Sequence, residues 1–474
     1  MPLAMNVLFV VAEMSPLVKV GGVGDVGGAL PRALRKLGLD VRAALPYYAA
    51  VRRQELPVER VAALADGAAL WRTTAHEVPV YLIEHEPSFG REQVYGHKDD
   101  PARFLTFCDG VLAAADALDW RPDAVHLHDW HAGFVAARLA AEADHPWAAL
   151  PRICTIHNLG YPGVFKRAFA DAHGLRIEAV QGLAPAVLHS ALAQAILHSD
   201  VVTTVSPTYA REVLTPKYGG RLVPLLKQLG DRLVGIMNGI DTDEFDPASD
   251  PHLPATFDAE HLERRLENKR ALQQQMGLPE NDAVPLAGMV TRLFEQKGVD
   301  LATAAVDRLL AGGAELQLVV LGTGEATYEQ QLLDLAARYP QQVAVRIAFD
   351  VALGQVIYGG SDLFLMPSRY EPCGLGQLIA MRYGSVPVVR RTGGLADSVE
   401  PYDRERGSGT GFLFEELAPE GVAGALTDAL AAYRDREAWR ALQRRAMAKD
   451  FSWANAARQY EALYQRAAAQ GAHR

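Results

Sequence analysis

Cysteine is scarce. The three thiols among 474 residues, Cys108, Cys154 and Cys373, lie far apart. That spacing gives neither a disulfide framework nor a zinc site, and it fits a reducing cytoplasm. No apolar run reaches the roughly 18 residues that a membrane-crossing helix requires, so no membrane partner is expected. Positive charge is not in excess either. The 47 Lys and Arg against 57 Asp and Glu give a net charge of -10. A general nucleic-acid binder needs a basic surface, so nucleic acid is not an expected partner, although a local basic cleft is still permitted. Low-complexity tracts and repeats of solenoid period are missing. The opening stretch MPLAMNVLFVVAEM has no basic segment ahead of its apolar run. It reads as a first strand rather than a signal peptide, and no transit peptide is expected.

What remains is an ordinary globular composition, 49% hydrophobic and 22% charged, on a chain too long for one core. Short β-rich runs alternate with amphipathic stretches. NVLFVVA, VRAALP, VYLIEH, AVHLHD, RICTIHN and VVTTVSP form one series. PLAGMV, LQLVVLG, VAVRIAF, LFLMP and VPVVRR form another from Pro285 onward. Such alternation predicts two parallel sheets, each covered by helices. Between them DTDEFDPASDPHLPATFD, about 241–258, reads as a linker, and the last helical stretch packs back on one of the domains. Ligands of open α/β sheets bind beyond the carboxyl ends of the strands, so a cleft between the two domains is the expected site.

The segment KVGGVGDVGGALPRAL, 19–34, carries five glycines at 21, 22, 24, 27 and 28. Gly22, Gly24 and Gly27 spell G-x-G-x-x-G, the dinucleotide fingerprint. In that fingerprint the first glycine follows strand one almost directly. Here Glu13 to Val20 intervene, and the nearest acidic residue to follow the segment, Asp40, precedes its strand rather than ending it. NAD is therefore disfavoured. A glycine turn that merely permits packing is the plain alternative. Lys19 shifts the balance, because exposed backbone N–H groups, a helix start and a lysine together suit an anion.

Further motifs sit at strand ends. TRLFEQKG, 291–298, places Arg292 and Lys297 across a turn, where two cations can neutralise a diphosphate leaving group. SRYEPCGLGQ, 368–377, puts Glu371 at a strand-to-helix turn shaped by Pro372 and Gly374. Cys373 has no adjacent His, so a buried inert thiol is the commoner reading than a nucleophile. HLHDWHAG, 126–133, and TIHNLGYPG, 155–163, lack the H-E-x-x-H zinc pattern, and no metal is expected. Asp129 and His157 are instead candidates for hydrogen bonds to substrate hydroxyls. RRTGGLADSV, 390–399, repeats the scheme of a cation, one residue and two glycines before a helix.

Taken together these motifs resemble the ADP-glucose-using glycogen and starch synthases of bacteria. The matching pieces are K-V-G-G-V-G-D-V at 19–26, H-D-W-H-A-G at 128–133, T-I-H-N-L at 155–159, T-V-S-P-T-Y-A-R-E at 204–212, M-N-G-I-D at 237–241, R-L-x-x-Q-K-G at 292–298, S-R-Y-E-P-C-G-L-x-Q at 368–377 and R-R-T-G-G-L-A-D at 390–397. They run in family order over nearly the whole chain.

The resemblance implies a GT-B fold of two doubly wound, Rossmann-like domains facing a central cleft. It implies an acceptor and catalytic domain at 1–245, a nucleotide-sugar domain at 246–455, and a terminal helix, 456–474, returning to the first. The implied reaction moves glucose from ADP-glucose to the non-reducing end of an α-1,4-glucan with retention of configuration. Glu371, His157, Arg292, Lys297 and Asp129 are the implied catalytic residues. Lys19, Gly21, Gly22, Asp25, Arg292, Lys297, Phe349, Cys373, Gly374, Leu375, Thr392 and Gly394 would bind the donor, Phe349 by stacking on adenine. Neither a metal nor pyridoxal phosphate is implied. Many retaining relatives carry a second Glu eight residues after the first; Ile379 stands there, which the bacterial synthase branch shares and which argues against sucrose- and UDP-glucose-using relatives. A retaining transferase with another acceptor and a non-catalytic sugar-nucleotide binder are the alternatives.

Overall fold

A computed structural model describes residues 5–177 and 179–471. The chain divides into two compact units, the first running to Gly239 and resuming at Trp453, the second spanning Ile240–Ser452.

Among its described residues the first unit holds nine strands: β1 Asn6–Val10, β2 Asp40–Pro46, β3 Glu59–Ala63, β4 Ala69–Ala75, β5 Val78–Glu84, β6 Ala124–His128, β7 Arg152–Ile156, β8 Val201–Thr204 and β9 Leu233–Gly235. Their order is β3-β4-β5-β2-β1-β6-β7-β8-β9. β1 is nearly wholly buried and pairs in parallel with both β2 and β6, so strand order reverses at β1/β6. The parallel strands bury both faces and read as continuous apolar runs. β3 and β4 are antiparallel additions at one edge. The terminal helix Trp453–Gly471 packs against the helix Gly22–Lys36.

The second unit holds β10 Leu286–Val290, β11 Gln317–Gly322, β12 Val343–Ile347, β13 Leu363–Met366, β14 Val386–Arg390 and β15 Phe412–Phe414. All pair in parallel, in the order β12-β11-β10-β13-β14-β15. This is a doubly wound sheet whose switch point lies between β10 and β13. One face buries Leu301, Val306, Leu318, Val320 and Leu426; the other buries Tyr358, Phe364, Leu378 and Tyr383.

The acidic, proline-rich stretch expected as a linker is instead packed into the second unit. Leu253 and Phe257 join the cluster around Tyr358 and Phe364. Asp250 is buried and accepts a hydrogen bond of 2.6 Å from the Tyr383 hydroxyl. Its many Asp residues mark local turns, such as Asp258 Oδ1 accepting from Glu260 and His261 N–H, rather than solvated chain.

Candidate active site

At the switch point of the second sheet, two strand-end loops are stitched together. Gln296 donates to the Tyr370 carbonyl at 3.2 Å, and Arg369 N–H donates to the Gln296 carbonyl at 2.8 Å. Arg369 also grips Asp300 through both Nη atoms, at 2.8 and 2.7 Å. That clamp sets Lys297, from the loop after β10, against Glu371, from the loop after β13. The Lys297 ammonium donates to Glu371 Oε2 at 2.7 Å, and the Ser368 hydroxyl donates to the same oxygen at 2.9 Å. Glu371 is 5% exposed. A carboxylate at that depth is tolerable only when paired and hydrogen-bonded, as this one is. Arg292 stands exposed on the same loop, its guanidinium 5.5 Å from the Phe294 ring, and takes no carboxylate among the described residues. Phe349, just past β12, is 83% exposed.

The turn beneath Glu371 depends on glycine. Gly374 takes φ +75°, and a Cβ there would lie 2.4 Å from Gln377 Oε1. Gly393 and Gly394, expected as a glycine lip matching the first loop, are packed. Their Cβ atoms would strike the carbonyls of Glu371 and Cys373 at 1.9 and 2.1 Å. Gly394 N–H donates to the Glu371 carbonyl at 3.1 Å, so this pair carries the Glu371 backbone. Thr392 occupies the position just before that helix and is buried. Cys373 is buried and takes part in no disulfide among the described residues, and Leu375 is half-buried.

In the first unit the glycine loop follows β1, beside the switch. Its N–H groups are not all open to an anion, as the sequence suggested. Glu13 is 3% exposed, and its Oε2 accepts from Val20 and Gly21 N–H at 2.6 and 2.8 Å. Its Oε1 accepts from the Tyr95 hydroxyl at 2.8 Å. Burial raises the Glu13 pKa, opposed by those N–H bonds. Lys19 pairs with Asp25 Oδ1 at 2.5 Å, and burial raises the Asp25 pKa against that pairing. The five glycines separate by environment. Cβ atoms at Gly27 and Gly28 would strike the carbonyls of Glu13 and Ser15 at 2.2 and 2.6 Å, whereas Gly21 and Gly22 face open space.

Across the switch, β6 and β7 end in a buried polar cluster. Asp129 adopts φ 55°, rare for a residue with a side chain. Its Oδ1 accepts from His157 N–H at 2.7 Å and Asn158 N–H at 3.4 Å. Burial pushes the Asp129 carboxyl up to about 7 and pulls the His157 imidazole down to about 3. His128 Nδ1 lies 2.9 Å from His157 Nε2. Both rings are held neutral by burial. One nitrogen of the pair must donate. His128 Nε2 is buried without a partner, and an orphaned buried N–H is the rarer and costlier defect. The proton therefore sits on His128 Nδ1, which leaves the His157 proton on its own Nδ1. Behind them, Tyr464 of the terminal helix meets His126 Nδ1 at 2.7 Å, and Thr155 meets His126 Nε2 at 2.6 Å.

Glu13, Tyr95, Ser368 and His128 did not emerge from the sequence as site residues. Glu13 had a visible signal, a lone carboxylate ending an apolar strand just ahead of a glycine loop. Among the described residues, no group of three or more His, Cys, Asp or Glu is placed to hold a metal ion. No helix among them is long and apolar enough to cross a membrane.

Comparison with known proteins agrees with this layout. Residues 6–228 match the family described as starch synthase catalytic domain, and residues 269–445 match glycosyl transferases group 1. The catalytic domain of starch synthase IV from Arabidopsis thaliana, solved bound to ADP and acarbose, superposes with a TM-score of 0.87 at 36% identity, covering 98% of this chain and 100% of that one. A sucrose-phosphate synthase from Thermosynechococcus elongatus shares the fold alone, at TM-score 0.63 and 18% identity over 98% of both chains. The class is thus a glycosyltransferase of the GT-B fold. A glycogen synthase of Syntrophotalea carbinolica is 43% identical over 98% of this chain and 99% of its own. One from Anaeromyxobacter dehalogenans is 44% identical over 97% and 98%. The chain belongs to the glycogen synthase family.

Proposed function

We propose that the protein transfers glucose from ADP-glucose to the non-reducing end of an α-1,4-glucan with retention, in the cytoplasm, without metal or pyridoxal phosphate. The observation that carries this reading is the Lys297–Glu371 pair, joined at 2.7 Å across the switch point of the second sheet. Breaking the anomeric C–O bond develops positive character on the sugar and negative charge on ADP. Arg292 and Lys297 serve the departing diphosphate. Removing one such group typically costs on the order of 3 kcal/mol, about 10² in rate. Glu371, already oriented by Lys297 and Ser368, accepts from glucose hydroxyls. Cys373, Gly374, Leu375 and Thr392 line its surroundings, with Gly394 acting through the Glu371 backbone, and Phe349 offers its exposed ring to adenine.

The first unit contributes Lys19, Asp25 and the open faces of Gly21 and Gly22 to the donor. It offers His157 Nδ1–H to a sugar hydroxyl, with Asp129 fixing the His157 backbone. A double displacement would need a carboxylate close to the anomeric carbon. Ile379 occupies the sequence position where many retaining relatives carry a second Glu. Same-face attack, with the leaving phosphate taking the acceptor proton, is the route this supports; trapping a covalent glucosyl-enzyme would overturn it.

The deciding assay is incorporation of labelled glucose into glycogen from ADP-glucose beside UDP-glucose. ADP-glucose should be strongly preferred, and Glu371→Ala should fold normally while losing nearly all rate. Equal use of both donors, or an active Glu371→Ala protein, would refute the assignment.

A further inference from the structure

We propose that Tyr464, on the helix that closes the chain, is a positioning residue for His157: its buried hydroxyl fixes the ring of His126, His128 packs on that ring, and His128 in turn holds His157 Nε2. The role rests on the reaction proposed above, in which His157 Nδ1–H meets a sugar hydroxyl. Tyr464 belongs to the first unit, although the whole second unit separates it in sequence from β6. Tyr464 and His126 are both 0% exposed, so any part they play in the reaction must pass through a neighbour.

Counting protons gives each hydrogen bond its direction. Burial holds the His126 imidazole neutral, well below its ordinary range, and keeps the Tyr464 hydroxyl protonated. A neutral imidazole has one donor and one acceptor nitrogen. His126 Nδ1 lies 2.7 Å from Tyr464 Oη, and Nε2 lies 2.6 Å from Thr155 Oγ1. Were Nδ1 the donor, the Tyr464 O–H would need a further acceptor, and among the described residues its oxygen meets His126 alone. A buried O–H left without an acceptor is the costlier arrangement. Tyr464 therefore donates to Nδ1, Nε2–H donates to Thr155, and Thr155 donates to Thr203 Oγ1 at 2.6 Å. With both nitrogens satisfied, the plane and the tautomer of the His126 ring are locked.

Packing carries that order forward. His126 and His128 alternate with Leu127 along β6 and so share one side of the sheet. Their ring centroids lie 4.1 Å apart. Phe9 of β1 completes the group, 3.9 Å from His128 and 5.3 Å from His126. His128 stacks on His157 at 5.2 Å between centroids and gives Nδ1–H to His157 Nε2 across 2.9 Å. That is the one hydrogen bond its ring makes among the described residues, because Nε2 has no partner. The His128 ring is therefore held on its other side by contact with His126 and Phe9, not by a second polar anchor. A close-packed interior transmits the displacement of one ring to the next.

The test joins ring spectra to kinetics on the full-length protein. In long-range proton–nitrogen spectra of the histidine rings, wild-type His126 should show the Nε2–H tautomer and His157 the Nδ1–H tautomer. Tyr464→Phe keeps the ring beside Tyr460 and His126 and removes only the hydroxyl. Its His128 and His157 signals should shift or split, while that of exposed His261 in the second unit stays in place. Its kcat for glucose transfer should fall about tenfold, with KM for ADP-glucose and for glucan within about twofold of wild type. Tyr460→Phe is the matched control. It removes a buried hydroxyl one turn earlier on the same helix, 3.4 and 3.5 Å from Thr155 and Thr203, and should keep kcat within about twofold. An Nδ1–H tautomer at wild-type His126, an unmoved His157 signal in Tyr464→Phe, or equal kcat for the two Phe variants would overturn the proposal. A wild type that transfers no glucose from ADP-glucose refutes the reaction instead, and the spectra then decide whether Tyr464 sets the His157 ring. Should Tyr464→Phe fold poorly, the wild-type tautomers decide it alone.

Discussion

The two readings of the first glycine loop can be separated by adding single methyl groups. At Gly22, the first residue of its helix, an ideal Cβ meets nothing within 4 Å. Gly22→Ala should therefore leave the fold intact and raise stability by roughly 0.4–1 kcal/mol through the unfolded chain. At Gly27, one turn further on, the Cβ would lie 2.2 Å from the Glu13 carbonyl oxygen, well inside van der Waals contact. That carbonyl cannot withdraw freely, because the Glu13 side chain ties Val20, Gly21 and Tyr95 together. Overpacking of this kind costs about 1–3 kcal/mol or more. The two variants should thus differ by about 1.4–4 kcal/mol, or roughly 3–16 °C in the melting of the first unit. Scanning calorimetry measures that difference. Steady-state kinetics then reads the other half: on the proposed assignment the Gly22→Ala methyl group enters the donor's space, and KM for ADP-glucose should rise about tenfold, equivalent to ~1.4 kcal/mol. A Gly22→Ala enzyme with unchanged KM would show that this space holds no ligand. A Gly27→Ala protein that melts with the wild type would refute the steric assignment.

Two further outcomes follow from the buried cluster beyond β6 and β7. Burial raises the Asp129 carboxyl from its ordinary 3.8 to about 7, so between those values the native state holds a proton that the unfolded chain has lost, and this group costs stability as pH rises. Asp129→Asn keeps the acceptor and removes the titration. Its melting temperature relative to wild type should climb between pH 5 and pH 8, by the equivalent of about 2–3 kcal/mol, and a pH-independent difference in calorimetry would contradict the burial argument. The tautomer argument is tested at His128: His128→Phe should lower kcat about tenfold with little change in the glucan KM, and His128→Asn, whose amide can still donate to His157 Nε2, should recover most of it. Equal kcat for the two variants would refute a positioning role.

Much of the second unit's site was legible because chemistry there is tied to local pattern. A short apolar run followed by R-L-F-E-Q-K-G, and another followed by S-R-Y-E-P-C-G, each announce a strand end, and the doubly wound order places those two ends side by side. The pairing of Lys297 with Glu371 follows from that order. What stayed hidden depends on tertiary neighbours. The edge strand β3 reads ERVAA with its residues largely exposed, so it carries no apolar alternation to betray it. Tyr460 and Tyr464 lie one helical turn apart and signal a buried face, yet nothing local says that Tyr464 ends on His126 beneath the site. The glycines make the point most sharply. Gly21-Gly22 and Gly393-Gly394 look alike as sequence, each pair preceding a helix. One pair has empty space where side chains would be; the other has the Glu371–Cys373 backbone there. A glycine records only that something must come close, and whether that neighbour is the protein's own chain or a substrate is decided by what the fold delivers to it. An added methyl group separates the two cases, because it meets the protein's own backbone in one and open space in the other.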